Sequence, residues 1–288
     1  MTRSLSFRSA LTGAVAVAAL CAGGGIAKAQ FKQTDLVSDV SGLTAVTDPN
    51  LKNPWGLSFL PGSPIWISNQ GTSTSTLYPV MGSTGVSASP FTVTAGVSGP
   101  TGQVANAAMT GFDVGNGGNG LPADFIFANL NGSISAWNGA PSLSQAFTQT
   151  TVAGASFTGL AINQADTMLY AANDAGTGSV DVFNSSFTQV SSFATPGGLP
   201  AGLVPFDVKD IGGNVFVTYA PSGHAAQTAA TPGEGAVAEF TEGGVLESLL
   251  RPAPTANSLR RGASLSPRPA LASSAATSSS AILPLGTA

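Results

Sequence analysis

Gly159-Leu160-Ala161-Ile162, then Leu169-Tyr170-Ala171-Ala172-Asn173, then Ser179-Val180-Asp181-Val182-Phe183 is the stretch that decides the fold. Its three runs are short, rich in β-branched and aromatic residues and separated by turn residues, so each reads as a strand. The same order stands earlier as Gly56-Leu57-Ser58-Phe59, Ile65-Trp66-Ile67-Ser68-Asn69 and Ser75-Thr76-Leu77-Tyr78. A unit of three or four short strands returning about every 50 residues marks a β-propeller, in which each small sheet buries its faces only against its neighbours.

Working outward gives four blades. The first runs from Asn53 to about Thr94, with Phe91-Thr92-Val93-Thr94 as its outer strand, and the third from Gly159 to Phe193. The second is expected to hold Gly111-Phe112-Asp113-Val114, Phe125-Ile126-Phe127-Ala128-Asn129 and Ser133-Ile134-Ser135-Ala136-Trp137. The fourth holds Pro205-Phe206-Asp207-Val208, Val215-Phe216-Val217-Thr218-Tyr219 and Ala236-Val237-Ala238-Glu239-Phe240, with an insertion from Ala220 to Gly235. No helical period is seen. A strand over Thr34 to Val40 precedes the blades; in a closed ring it would complete the last one. The fold class expected is therefore all-β, propeller-like, with about four recognisable blades, an incomplete ring and a disordered C-terminal tail.

The ends differ from the body. Residues 1–29 read as a signal peptide: Arg3 and Arg8, an apolar run from Ala10 to Ala22, and Ala27-Lys28-Ala29 before Gln30. That run is too short to anchor in a bilayer. Cys21 is the sole cysteine, and Leu20 sits where a lipobox wants a small residue, so cleavage would leave a chain with neither disulfides nor thiolate metal sites. The expected location is periplasmic or extracellular, with no membrane insertion after cleavage.

Residues 30–250, the blades, carry fourteen acids and only Lys32, Lys52 and Lys209, a net charge of −11. Such a body repels nucleic acid, which is therefore not an expected partner. Residues 251–288 carry four arginines, no acid and no aromatic, a composition expected to be disordered. A frameshift near Leu249 is a second explanation of this tail: read two bases later with permitted codons, Ser266 to Leu283 ends in Leu-Leu-Val-Gly-Asn-Phe, like the second strands of the blades.

Asp35-Leu36-Val37-Ser38-Asp39 followed by Asp48-Pro49-Asn50-Leu51-Lys52-Asn53-Pro54-Trp55-Gly56-Leu57 resembles the start of a family of exported bacterial β-propeller-like proteins of uncharacterised function. Pro100-Thr101-Gly102-Gln103-Val104, Gly132 to Asn138, and Leu199-Pro200-Ala201-Gly202 with Pro205-Phe206 extend the resemblance over about Gln30 to Leu250. The resemblance implies further blades with another Asn-x-Pro-Trp-Gly element and a Gly-Asn-Phe segment. Both are missing here in the given frame, as in a truncated or frameshifted member. It implies no activity.

The candidate chemistry is sparse. If each second strand returns antiparallel, one face carries Asn53, Pro54 and Trp55 together with Asn69, Asn129 and Asn173. The last three would offer carbonyl oxygens to a cation such as calcium, with Asp174 or Asp207 supplying charge, an arrangement similar to metal-dependent lactonases of propeller fold. The competing interpretation is that Asn ends a strand and makes its turn. His224, the only histidine, lies in the long insertion with Glu234, and no Gly-x-Ser-x-Gly elbow occurs. Gly115 to Gly120 reads as a hairpin loop. Trp55 and Trp66 would stack on a sugar or fill space between blades. The leading expectation is an exported, non-enzymatic binding module whose partner is a glycan, a peptide or a cell-surface protein. The alternatives are a lactonase-like metal hydrolase and a damaged, non-functional copy.

Overall fold

A computed structural model describes residues 34–81, 85–87, 91–95, 99–139, 143–231 and 233–250. The expected signal peptide over 1–29 and the tail over 251–288 lie outside these residues. No described helix is long and apolar enough to cross a membrane.

The chain is built of short strands in four four-stranded antiparallel sheets. Ahead of them β1 (Val37–Ser38) pairs in parallel with β2 (Val46–Thr47). β1 lies within the strand expected over Thr34 to Val40, and among the described residues its partner is its own next segment. Blade one is β3 (Pro54–Ser58), β4 (Ile65–Asn69), β5 (Thr74–Tyr78) and, after a small hairpin of β6 (Val80–Met81) and β7 (Gly85–Val86), β8 (Thr92–Thr94). Blade two is β9 (Pro100–Ala105), β10 (Phe125–Asn129), β11 (Ser133–Trp137) and β12 (Phe147–Thr151). Blade three is β13 (Phe157–Ile162), β14 (Met168–Asn173), β15 (Ser179–Asn184) and β16 (Gln189–Ala194). Blade four is β17 (Leu203–Ile211), β18 (Asn214–Pro221), β19 (Ala236–Thr241) and β20 (Leu246–Leu250); the insertion between β18 and β19 holds one short helix, α1 (His224–Ala229), where the sequence shows no helical period.

The first strand of blade two corrects the sequence expectation. Gly111 to Val114 looked like the apolar opening strand, but it is a loop, with Gly111 and Phe112 both at positive φ. Phe112 and Val114 are nevertheless wholly buried, and Phe112 lies edge-on to Phe187 of blade three. Apolarity at this position serves inter-blade packing. The true strand, Pro-Thr-Gly-Gln-Val-Ala, hides its identity because its buried side chains are polar and hydrogen-bonded.

Period-two alternation sends the two sides of each sheet toward different neighbours. Three apolar clusters result. Trp66 and Val93 meet Phe125, Phe127 and Trp137 between blades one and two. Ile126, Ile134 and Ala136 meet Phe157, Leu160, Leu169 and Phe183 between two and three. Tyr170, Val180, Val182 and Phe193 meet Val208, Val215, Val217 and Phe240 between three and four. Full burial of each such side chain contributes about 1.5–3 kcal/mol. No cluster among the described residues joins blade four to blade one. On blade four Ile211, Leu246 and Leu250 remain 62%, 41% and 48% exposed. At the other end of the arc, the N-terminal segment covers part of blade one: Tyr78 donates its hydroxyl to Asp48 at 2.8 Å, and burial raises the Tyr78 pKa.

The inner strands β3, β9, β13 and β17 pack successively around the axis. Gly56, Gly102 and Gly159 mark the closest approaches. A Cβ on Gly56 would sit 2.5 Å from the Thr101 carbonyl oxygen, and one on Gly102 would sit 2.6 Å from the Leu160 Cβ. The fourth residue of this series is Asp207, on the last blade of the arc.

Candidate ligand site at the bulged inner strands

All four inner strands carry a bulge at one position. The ladder slips between Pro54 and Leu57, between Pro100 and Gln103, between Phe157 and Gly159, and between Pro205 and Asp207. Counting from the residue before each slip, Pro54, Pro100, Phe157 and Pro205, puts Trp55, Thr101, Thr158 and Phe206 at equivalent places. A bulge inserts an unpaired residue and re-aims its side chain. The repeat therefore sets four side chains at one equivalent position of the blade.

Two of them are used internally. The Thr101 hydroxyl lies 2.6 Å from the Phe157 carbonyl and 3.1 Å from the Ala128 carbonyl, bridging blades two and three, and the Thr158 hydroxyl donates to the Ala172 carbonyl at 3.3 Å. Both threonines are buried. The other two, Trp55 and Phe206, are half-buried and meet across the axis with ring centroids 5.4 Å apart and planes tilted by 37°. Neither belongs to a core cluster. The contact links the first blade to the fourth.

Beside Phe206, the Asp207 carboxylate faces the Lys209 ammonium at 3.7 Å, with side chains 42% and 54% exposed. Lys209 also reaches the Leu160 carbonyl at 3.5 Å. An ion pair this exposed contributes at most about 1 kcal/mol to stability. Asn53 precedes the first bulge at positive φ, is exposed, and donates its amide to the Gln70 side chain at 2.9 Å. Asp174 is half-buried in the turn after β14, its backbone N–H bonded to the Ser156 carbonyl.

The register sets Asn69 opposite Pro54, Asn129 opposite Pro100 and Asn173 opposite Phe157, so all three lie at the bulge end of their sheets. Their amides bond within their own blades. Asn69 donates to Thr76 at 2.9 Å, Asn129 to Ser135 at 3.2 Å, and Asn173 to Asp181 at 3.0 Å, always to the equivalent third-strand residue. The Asn173 carbonyl oxygen accepts from the Ser156 and Ala175 N–H groups, as a turn-making Asn does. Those of Asn69 and Asn129 are buried without a partner. Blade four has Tyr219 at this position. Among the described residues, no three of His, Cys, Asp and Glu gather closely enough to hold a metal ion.

Trp66 differs from Trp55. It is 2% exposed and packs on Phe125 at 4.2 Å and Trp137 at 4.7 Å, so it fills space between blades. His224 is exposed on α1, and the Glu234 carboxylate accepts from the Thr231 N–H. Val114 N–H bonds to the Leu121 carbonyl across Gly115 to Gly120, closing a hairpin loop. Sequence reasoning missed Gln103 as a structural residue. Its side-chain oxygen accepts from Ser68 at 2.8 Å and Ser75 at 3.1 Å while its amide donates to Ser58 at 2.7 Å, a buried polar tie between blades one and two. It also missed Phe206 as the partner of Trp55. The one signal was the alignment of Asn53-Pro54-Trp55-Gly56 with Val204-Pro205-Phe206-Asp207.

No family model matches the chain. An uncharacterised protein of Acanthamoeba polyphaga mimivirus is 29% identical over 200 residues, 66% of this chain and 49% of that protein. The chain thus spans about half the length of this curated relative. Among solved structures, a catalytically inactive variant of virginiamycin B lyase from Staphylococcus aureus with quinupristin is similar at a TM-score of 0.47 and 14% identity, over 72% of this chain and 58% of that one. A functionally unknown protein from Desulfotomaculum acetoxidans is similar at 0.44 and 15%, over 69% and 57%.

Proposed function

We propose that the protein is an exported, non-enzymatic binding module that takes its ligand at the axial end formed by Trp55, Phe206, Asp207 and Lys209. The observation that carries this reading is the aromatic pair. At the position where the same ladder slip recurs in all four blades, two side chains are threonines bonded into the scaffold, and two are half-exposed aromatics outside every apolar cluster. Half-exposed apolar rings with polar groups next to them in the chain are the ingredients of which ligand sites are built. The polar groups present, one carboxylate paired to one ammonium with no nucleophile beside them, suit recognition better than bond cleavage.

The test is intrinsic fluorescence. Trp66 and Trp137 are buried, so a ligand arriving at Trp55 perturbs the half-exposed indole first. Mixed glycan and peptide libraries passed over the immobilised protein should leave a retained fraction that shifts this emission and is released by Trp55→Ala. Retention unaffected by that substitution would place the binding elsewhere.

A further inference from the structure

We infer that the ligand class of this site is a neutral carbohydrate, an inference that rests on the axial end being the binding site. The chemistry of four side chains selects it. Trp55 and Phe206 offer ring faces tilted by 37°, against which the C–H face of a sugar ring packs through apolar area and the ring quadrupole. Asp207 follows Phe206 on β17, and its carboxylate and the Lys209 ammonium lie 3.7 Å apart, one accepting and one donating hydrogen bonds, with no net charge. A polyhydroxylated ring uses both groups at once, because each hydroxyl is donor and acceptor.

Anionic ligands fit less well: an anion meets Asp207 and a body of net charge −11. A cation finds the Asp207 carboxylate already paired to the Lys209 ammonium. A peptide bound as an added strand needs a regular ladder edge, and the ladder is interrupted at both Trp55 and Phe206. The exposed face of blade four is a separate feature and plays no part here.

The experiment titrates the full chain with cellohexaose, chitohexaose and laminarihexaose, following Trp emission and heat. Heparin serves as the anionic probe and a random peptide library as the third arm. The expected result is saturable binding of at least one neutral hexasaccharide, weakened about tenfold or more by Trp55→Ala and measurably by Asp207→Asn. Heparin should not bind. Lys209→Met, an exposed substitution, guards against a Trp55 variant that fails to fold: it should weaken the same sugar while leaving the melting temperature unchanged. If no neutral hexasaccharide binds, or if binding ignores both Trp55 and Lys209, the carbohydrate inference falls. Peptide or heparin binding that does depend on Trp55 would overturn the ligand class and leave the site standing. If no probe of any class responds to Trp55, site and ligand class fall together.

Discussion

Gly102→Ala adds one methyl group where two inner strands come closest. An ideal Cβ on Gly102 lies 2.5 Å from the Gly159 carbonyl carbon and 2.6 Å from the Leu160 Cβ, and it also overlaps the Leu160 amide nitrogen. Ordinary contact begins near 3.4 Å, so β9 and β13 would have to separate by about 1 Å or more. The obstructing atoms are mostly backbone. No rotamer change relieves the clash, and the separation would loosen the cluster holding Ile126, Ile134, Phe157 and Leu160. Overpacking typically costs about 1–3 kcal/mol, and this site belongs at the top of that range. For a domain of this size a loss of about 3 kcal/mol lowers the melting temperature by roughly 6–12 °C. Gly197→Ala is the control, since no atom lies within 4 Å of its added Cβ and its φ is not in the left-handed region. The assay is reversible urea unfolding of the two variants beside the parent. If Gly102→Ala is as stable as Gly197→Ala, the inner strands do not pack as described and the blade order around the axis is wrong.

Asn129→Ala should cost about 1–2 kcal/mol by urea unfolding, because it strips the buried Ser135 hydroxyl of a donor; a neutral result would mean that the amide bond is not formed. If the side-chain oxygens of Asn69 and Asn173 were calcium ligands, millimolar calcium would raise the melting temperature and the double variant Asn69→Ala/Asn173→Ala would abolish the rise. The bonds within each blade instead predict that the double variant melts lower by the same amount with calcium or with chelator. Asp210 has one buried carboxylate oxygen without a partner, and burial first, then Glu242, raises its pKa above the ordinary 3.8. Folding therefore favours its protonated form, so its contribution to stability falls as pH rises from about 3.8 through the raised value; Asp210→Asn should flatten that slope, and an unchanged pH profile of unfolding would refute this. Gln103→Leu should destabilise by about 2–3 kcal/mol, since it leaves Ser58, Ser68 and Ser75 facing an apolar side chain; a variant as stable as the parent would show that the tie between the blades contributes nothing.

Sequence alone determined the repeat and most of its strands. Ile65–Asn69, Phe125–Asn129 and Met168–Asn173 are legible because a central blade strand needs both faces apolar, a local property of composition. It also placed the Asn residues beside the strand openings, since antiparallel return follows from strand length and turn position. It erred at blade two because Phe112 and Pro100–Ala105 exchange the usual signals: a loop carries the apolar residue, and a strand carries the paired polar ones. Only the tertiary structure decided which polar groups have partners, which of Trp55 and Trp66 is filler, and that Trp55 meets Phe206. Those outcomes depend on register slips and on contacts between strands and blades, of which Trp55 with Phe206 is the most distant along the chain. Such contacts are fixed by the packing of blade on blade, which leaves no periodic trace in the sequence.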